Sequence, residues 1–280
     1  MANRTYYEAL KWASLFVQKN QLDESAATYL LQELSQLDQT HLLIKYRQPM
    51  PAQLDKQYVT AIKQYVNGVP PQYIIGTAPF YGERFVVNEN VLIPRQETEE
   101  LVEWILSANP QTALSVLDVG TGSGAIGLTL KKQRPNWQVV LSDLSGGALK
   151  VAQENAERLN TPVKTVQGDL LEPLAGRQFD VIVSNPPYIS RSEVAEMDAD
   201  VLKSEPNMAL FADHDGLAIY ERLADQLKQG VASAKQVFLE IGFQQGQTVS
   251  QIFKTRFPAA AVTVRQDIAG HDRMVRISFN

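Results

Sequence analysis

The chain has 280 residues, 44% of them hydrophobic, so it can bury a large core without disulfides or metals. It has no cysteine, which excludes disulfide frameworks, thiolate metal centres and a cysteine nucleophile. The 26 lysines and arginines against 31 aspartates and glutamates leave a net charge of −5, a poor balance for a chain whose main task is to coat nucleic acid.

Up to Gly68 the pattern is helical. Tyr6, Leu10, Ala13 and Val17 fall on one face, and so do Ala27, Leu30, Leu31 and Leu34, with Asp23 as the expected N-cap. A short helix is expected around Leu42 to Tyr46. Leu54, Tyr58, Ala61, Ile62, Tyr65 and Val66 mark a further one, opened by Pro51 and closed by Asn67-Gly68. Residues 1–69 read as a small helical bundle. Pro70-Pro71 breaks that pattern. Phe85-Val86-Val87 and Val91-Leu92-Ile93, around Asn88-Glu89-Asn90, read as a β-hairpin, so residues 70–93 are expected to connect two domains.

Residues 94–280 follow another grammar. After a helix carrying Leu101, Val102, Ile105 and Leu106, strands are predicted at 115–119, 138–142, 163–167, 179–184 and 236–241. They alternate with helices near 125–132, 147–159, 216–227 and 245–256. Strand–helix alternation predicts an α/β fold, a doubly wound and mainly parallel sheet. Val262 to Val264 and Met274 to Phe279 have no helix between them, so the sheet is expected to end in an antiparallel pair. The longest apolar run is five residues, Met208 to Ala212, against about twenty for a bilayer span. The N-terminal residues lead into an amphipathic pattern rather than an apolar signal core. The expectation is a soluble, cytoplasmic protein without a membrane partner. His41, His214 and His271 lack metal-ligand spacing, and no metal is expected.

The first strand of this region ends in Asp118-Val119-Gly120-Thr121-Gly122-Ser123-Gly124 and opens a helix. Glycines at such a turn let the backbone approach a ligand closely. Asp143 ends the next strand, where it can accept both hydroxyls of a ribose or serve as an N-cap. Asp169 closes the third, where it can accept from an adenine amino group while Leu170 packs on the ring, or stand as a solvated turn acid. The loop also matches Gly122-x-Gly124-x-x-Gly127, so by itself it leaves NAD and S-adenosylmethionine both open.

The fourth strand leads into Asn185-Pro186-Pro187-Tyr188. Two prolines fix the backbone and remove two donors, leaving the Asn185 side-chain oxygen and the Pro186 carbonyl as aimed acceptors. Two acceptors suit a planar NH₂, whose nitrogen can be turned toward an electrophile while Tyr188 stacks on the flat group. This suits methyl transfer, where positioning does most of the work; hydride transfer has no use for it. Adenine N6 and a glutamine amide both qualify as targets. The acidic balance and the scattered Lys45, Arg47, Lys56 and Lys63 disfavour nucleic acid. A non-catalytic module that kept the pocket is a further alternative.

Several blocks carry a resemblance to a known family. They are Pro71 to Gly76, Phe80-Tyr81-Gly82, Val91 to Glu99, Asp118 to Gly124, Asp143 and Asn185 to Ile189. They continue with Glu205-Pro206, Ala209-Leu210, Asp215-Gly216-Leu217, Tyr220, Glu240-Ile241-Gly242 and Asp267 to Arg273. Over about residues 70 to 275 the chain resembles the release factor glutamine methyltransferases, which N5-methylate the glutamine of the Gly-Gly-Gln motif in peptide chain release factors. Gln96 stands where the family usually has proline, Leu170 where some members carry an aromatic, and Phe211 to His214 where glycine is commoner. The resemblance implies a Rossmann-like class I methyltransferase domain behind an N-terminal helical domain that docks the substrate. It implies S-adenosylmethionine held by Gly120, Thr121, Gly122, Ser123, Gly124, Asp143, Asp169, Leu170 and Asn185. The substrate glutamine falls to Asn185, Pro186, Pro187 and Tyr188, with Asn185, Pro186 and Tyr188 as the catalytic set. The partner it implies is a class 1 release factor, and a substrate of protein size suits a monomer with an open face. Arg95 and Glu97 read either as a rim of the site or as a hairpin-to-helix junction. Glu205-Pro206 reads as a loop-ordering or loop-ending pair, and Phe80 as a cofactor cover or a packing residue. His214 and His271 read as surface residues.

Overall fold

The computed structural model describes residues 4–196 and 204–279. The chain divides into two compact units: residues 4–77 with Ser204, and residues 78–196 with 205–279. The first is helical, with α1 (Tyr6–Lys19), α2 (Ser25–Ser35), α3 (Gln39–Lys45), α4 (Ala52–Val66) and α5 (Pro71–Ile75). A capping box starts α1: the Thr5 hydroxyl accepts from the Glu8 N–H while the Glu8 carboxylate accepts from the Thr5 N–H at 2.8 Å. Ala9, Ala13 and Val17 of α1, Leu30 and Leu31 of α2, and Ile62 of α4 share one core. Tyr58 is buried there, and its hydroxyl donates to the Ala27 carbonyl at 2.8 Å, so the polar tip is satisfied.

Two expectations change here. The N-cap of α2 is Glu24 rather than Asp23, whose carboxylate accepts from the Ser25 N–H at 2.9 Å from one position upstream. Pro71 opens α5 instead of ending helical structure, because the first position of a helix needs no N–H. Ile74 and Ile75 then pack on the helical core, so residues 70–77 go with this unit.

A hairpin of β1 (Thr77–Phe80) and β2 (Glu83–Val86), which begins on the last residue of the first unit, comes next. The hairpin expected around residues 88–90 is thus displaced toward the N-terminus. Its turn is Tyr81-Gly82, both at positive φ (49° and 77°), the twist a two-residue hairpin requires. Val91 to Ile93 is not a strand; Val91 and Ile93 are apolar because they are buried. Then follow α6 (Gln96–Ala108), β3 (Ser115–Val119), α7 (Ala125–Gln133), β4 (Gln138–Asp143), α8 (Gly146–Arg158), β5 (Lys164–Gln167) and β6 (Gln178–Ser184). After these come α9 (Asn207–Leu210), α10 (Ala218–Lys228), β7 (Ser233–Glu240), α11 (Gly246–Arg256), β8 (Ala261–Gln266) and β9 (Asp272–Ser278).

The seven strands from β3 onward form one sheet in the order β5-β4-β3-β6-β7-β9-β8. It is parallel as far as β7, and β9 runs antiparallel to both β7 and β8. Strand boundaries lie within three residues of those expected. The helix expected from Gly216 starts at Ala218, because His214, Asp215 and Gly216 all lie at positive φ. One apolar cluster joins Leu101 and Ile105 of α6, Leu128 of α7, Trp137 and Phe238. Another joins Tyr220 and Leu223 of α10 to Val249 and Phe253 of α11. Sheet register then places the site. Val119 lies opposite Ser142 on one side and Ser184 on the other. Strands β3, β4 and β6 therefore end level, and their next residues emerge together where the strand order reverses. Open parallel sheets take ligands at this edge.

Candidate active site

A cavity opens at this edge. Gly120, Thr121, Gly122, Ser123, Asp143, Asp169, Leu170, Asn185, Pro186 and Pro187 all line it, so residues scattered over 68 positions are brought together. The turn after β3 keeps Gly120 at φ 68° and Gly122 at φ 56°, a region costly for a side chain. It is tied down by Thr121 N–H to the Ser142 carbonyl at 3.0 Å and by Gly124 N–H to the Thr121 carbonyl at 2.9 Å. Asn155 of α8 braces it from behind, donating to the Ser123 carbonyl at 2.9 Å.

Gly124 and Gly127 do other work. Gly124, at φ 84°, is the N-cap of α7, and a Cβ there would press on Leu128 and Ala152. A Cβ on Gly127 would collide with Leu141 and meet Asp118. That close approach lets the Gly127 N–H reach Asp118 Oδ2 at 2.9 Å, beside the Thr121 hydroxyl at 2.6 Å. Asp118 is fully buried and its other oxygen has no hydrogen-bond partner. Burial pushes its carboxyl up to about 6, against the two donors.

Asp143 is not the cap of α8. That place belongs to Ser145, whose hydroxyl accepts from the Ala148 N–H at 3.1 Å. The Asp143 carboxylate instead accepts from Gly122 N–H at 2.9 Å and Ser145 N–H at 2.8 Å, one on each oxygen. Burial raises its pKa in spite of these bonds. Further donors from a ligand would favour its charged form. Asp169 stays partly exposed but has a partner: Arg222 of α10 donates to it at 2.5 Å, and both line the cavity. Leu170 sits beside it at φ 47°.

The corner after β6 has a backing that sequence patterns did not show. Asn185 Nδ2 donates to the Thr98 hydroxyl at 3.2 Å, and that hydroxyl donates to Glu240 Oε2 at 2.7 Å. Thr98 lies on α6 and Glu240 ends β7, and both are buried. Burial pushes the Glu240 carboxyl up to about 7, opposed by the Thr98 bond, the Arg273 charge and the Asn185 amide. Tyr188 is not in the cavity wall: its ring packs against the apolar cluster that holds Tyr220. The expected stacking partner thus packs partly against the protein body while its neighbours Pro186 and Pro187 line the cavity. Burial raises its hydroxyl to about 12.

Around the rim, Arg95 donates to Glu205 at 2.6 Å and lines the cavity. Arg95, one of the two expected rim residues, is thus tied to the expected loop-ordering Glu205, which is almost wholly enclosed. Phe80 is core, edge-on to Phe85 with centroids 5.9 Å apart, and does not reach the cavity. His214 and His271 are exposed. Among the described residues no cluster could hold a metal ion, and no helix is long and apolar enough to cross a membrane.

An open sheet, parallel until its last antiparallel strands and carrying its cavity at the strand reversal, is the Rossmann-like plan of the class I methyltransferases. A family profile described as methyltransferase small domain matches residues 97–210, and one described as PrmC N-terminal domain matches residues 8–76. The solved hMettl16 catalytic domain in complex with the MAT2A 3'UTR hairpin 1 shares the fold, with a TM-score of 0.58 over 90% of this chain and 91% of that one at 14% identity. A methyltransferase from Pyrococcus furiosus does so at 0.52 over 71% and 89%, at 15% identity. Sequence relatives are nearer. The release factor glutamine methyltransferase of Enterococcus faecalis is 42% identical over 274 residues, 98% of this chain and 99% of that protein. That of Lactococcus lactis is 45% identical over 247 residues, 88% and 90% of the two chains. The chain belongs to the release factor glutamine methyltransferase family.

Proposed function

We propose that this protein transfers a methyl group from S-adenosylmethionine to the side-chain amide nitrogen of the glutamine in the Gly-Gly-Gln motif of class 1 peptide chain release factors. The observation that carries this reading is the placement of Asn185 and Pro186 in the same cavity as Asp143 and the glycine turn. The residues suit the cofactor. Asp143 keeps acceptor capacity on both oxygens for a pair of hydroxyls. Asp169, steadied by Arg222, and Leu170 offer an acceptor and an apolar surface for a purine. When bound, S-adenosylmethionine supplies a methyl carbon on a positively charged sulfur, with a thioether as leaving group.

The chain's own contribution is placement. The Asn185 oxygen and the Pro186 carbonyl accept the two hydrogens of the substrate amide and turn its nitrogen lone pair toward that carbon. Their dipoles also stabilise the positive charge that grows on nitrogen. No strong base is required, because the methylated nitrogen is acidic and loses its proton late. Pro187 and Tyr188 hold the corner's shape. The helical unit docks the release factor, and the enzyme works in the cytoplasm as a monomer.

Mass spectrometry of the release factor's Gly-Gly-Gln peptide, after incubation with enzyme and cofactor, is expected to show one added methyl on glutamine. Methyl label found only in RNA or DNA would overturn the reading in favour of an adenine-N6 enzyme. Asn185→Ala is expected to lower turnover by at least ~100-fold with cofactor affinity largely intact. Steady-state kinetics and calorimetric titration check the two halves of that statement.

A further inference from the structure

Asn185 can clamp an amide only if its carboxamide sits the right way round. Rotated by half a turn, it would present an NH₂ to the substrate's NH₂, two donors facing each other. Shape alone does not choose, because the oxygen and the NH₂ are nearly equal in size. The choice must come from what lies behind the side chain.

Behind it stands a directed chain of hydrogen bonds. Glu240 accepts from Thr98 in this arrangement, and an ionised carboxylate can do nothing else, so the chain is directed above the value of about 7 to which burial pushes this carboxyl. It lies 2.7 Å from the Thr98 hydroxyl, whose single proton is thereby committed to it. The hydroxyl oxygen is left with lone pairs and nothing further to donate. Asn185 approaches that oxygen at 3.2 Å and must meet it with a hydrogen, so it turns Nδ2 inward. We propose that Glu240, acting through the Thr98 hydroxyl and on the Asn185 amide itself, sets the orientation of the Asn185 carboxamide and so turns its oxygen to the cavity. This rests on the reading of Asn185 as the clamp on the substrate amide. Glu240 and Thr98 are positioning residues, since no proton moves and neither need touch the substrate.

The three groups come from separate places in the chain: the first turn of α6, the corner after β6 and the last residue of β7. Glu240 is buried away from the cavity, and Thr98, which touches the cavity wall, keeps little exposed surface, so water has little access to the pair. Water could otherwise satisfy either orientation.

Thr98→Val keeps the shape and removes the relay, and Thr98→Ser keeps the hydroxyl. With release factor as substrate, Thr98→Val is expected to lower kcat ~10-fold or more. KM for the release factor and Kd for S-adenosylmethionine should stay within ~2-fold, since only the placement of the reacting amide suffers. Thr98→Ser should recover most of that loss. A Thr98→Val enzyme with wild-type kcat, or a serine variant as damaged as the valine one, would overturn the inference. A second readout needs no substrate. The Asn185 Nδ2 protons, identified by their disappearance in Asn185→Ala, should exchange slowly with solvent in the wild type and the serine variant, and fast in Thr98→Val. Equally fast exchange in the wild type would overturn the orientation directly. Failure of the wild-type enzyme to methylate glutamine would count against the proposed function alone, while the exchange measurement still judges the orientation.

Discussion

Asp118 and Glu240 are buried carboxyls whose surroundings favour the neutral form, raised from 3.8 to about 6 and from 4.5 to about 7. Between the ordinary and the raised value the folded chain holds a proton that the unfolded chain has lost. The stability each contributes is therefore present at low pH and is lost as pH climbs through its folded pKa. Glu240 is faced by Thr98 and Glu97 from α6, Asn185 beyond β6, and Arg273 from β9. The Tyr188 and Tyr220 hydroxyls also feel its charge. Glu97 adds to the rise and Arg273 opposes it, but burial is the largest cause. Asp180, lowered by Lys235, works with the opposite sign but only in the acid range below 3.8. The thermal midpoint is thus expected to fall as pH rises from about 4.5 to about 7. Glu240→Gln, which cannot ionise, should flatten that fall, and a series of scanning-calorimetry runs at fixed ionic strength checks it. At this scale sequence reading found residues that line the cavity, because Asp143 and Asn185 follow strands and lie next to glycine or proline. It missed those that stand behind them. Thr98 and Glu240 are 142 positions apart, and no local pattern ties one to the other.

Among the elements, the start of α10 shows how a loop holds a distant corner. Gly216 lies at φ 79°, and a Cβ there would strike the Tyr188 carbonyl and crowd the Gln245 side chain. Gln245 donates to that same carbonyl at 2.9 Å. Gly216→Ala is therefore expected to displace the residues after Pro187 and cost turnover ~10-fold or more, while Gly230→Ala, at a similar φ of 74° but with open space around it, costs stability without that loss. Parallel melting and kinetic measurements on the two variants separate strain from displacement. Element types were legible because apolar spacing shifts from helical to strand period near residue 70. The hairpin was misplaced for a specific reason. Asn88-Glu89-Asn90 looks more like a turn than Tyr81-Gly82 does, yet a tyrosine at φ 49° makes the real one. Val91 and Ile93 owe their apolar character to burial rather than to pairing.

For the whole molecule, ligand binding and stability are linked, since only the folded sheet brings Gly122, Asp143 and Asn185 to one edge. S-adenosylmethionine at 100 times its Kd should stabilise the unit that binds it by about 2.7 kcal/mol, and the thermal midpoint should rise accordingly. Asp143→Ala should remove most of that rise, which a dye-based melting assay reads directly. The sheet's mainly parallel character followed from strand–helix alternation, and its antiparallel end from the missing helix between Val264 and Met274. What pattern could not show was that β9 lies inside the sheet, between β7 and β8. A ribosome delivers these strands in sequence order, so β8 emerges before the neighbour that will carry it. Until residues 272–278 arrive, β7 and β8 cannot pair through the strand that later separates them, and a seat must stay vacant along the edge of β7. Any folding intermediate that lacks β9 therefore carries an open edge on β7, a place where another chain can pair.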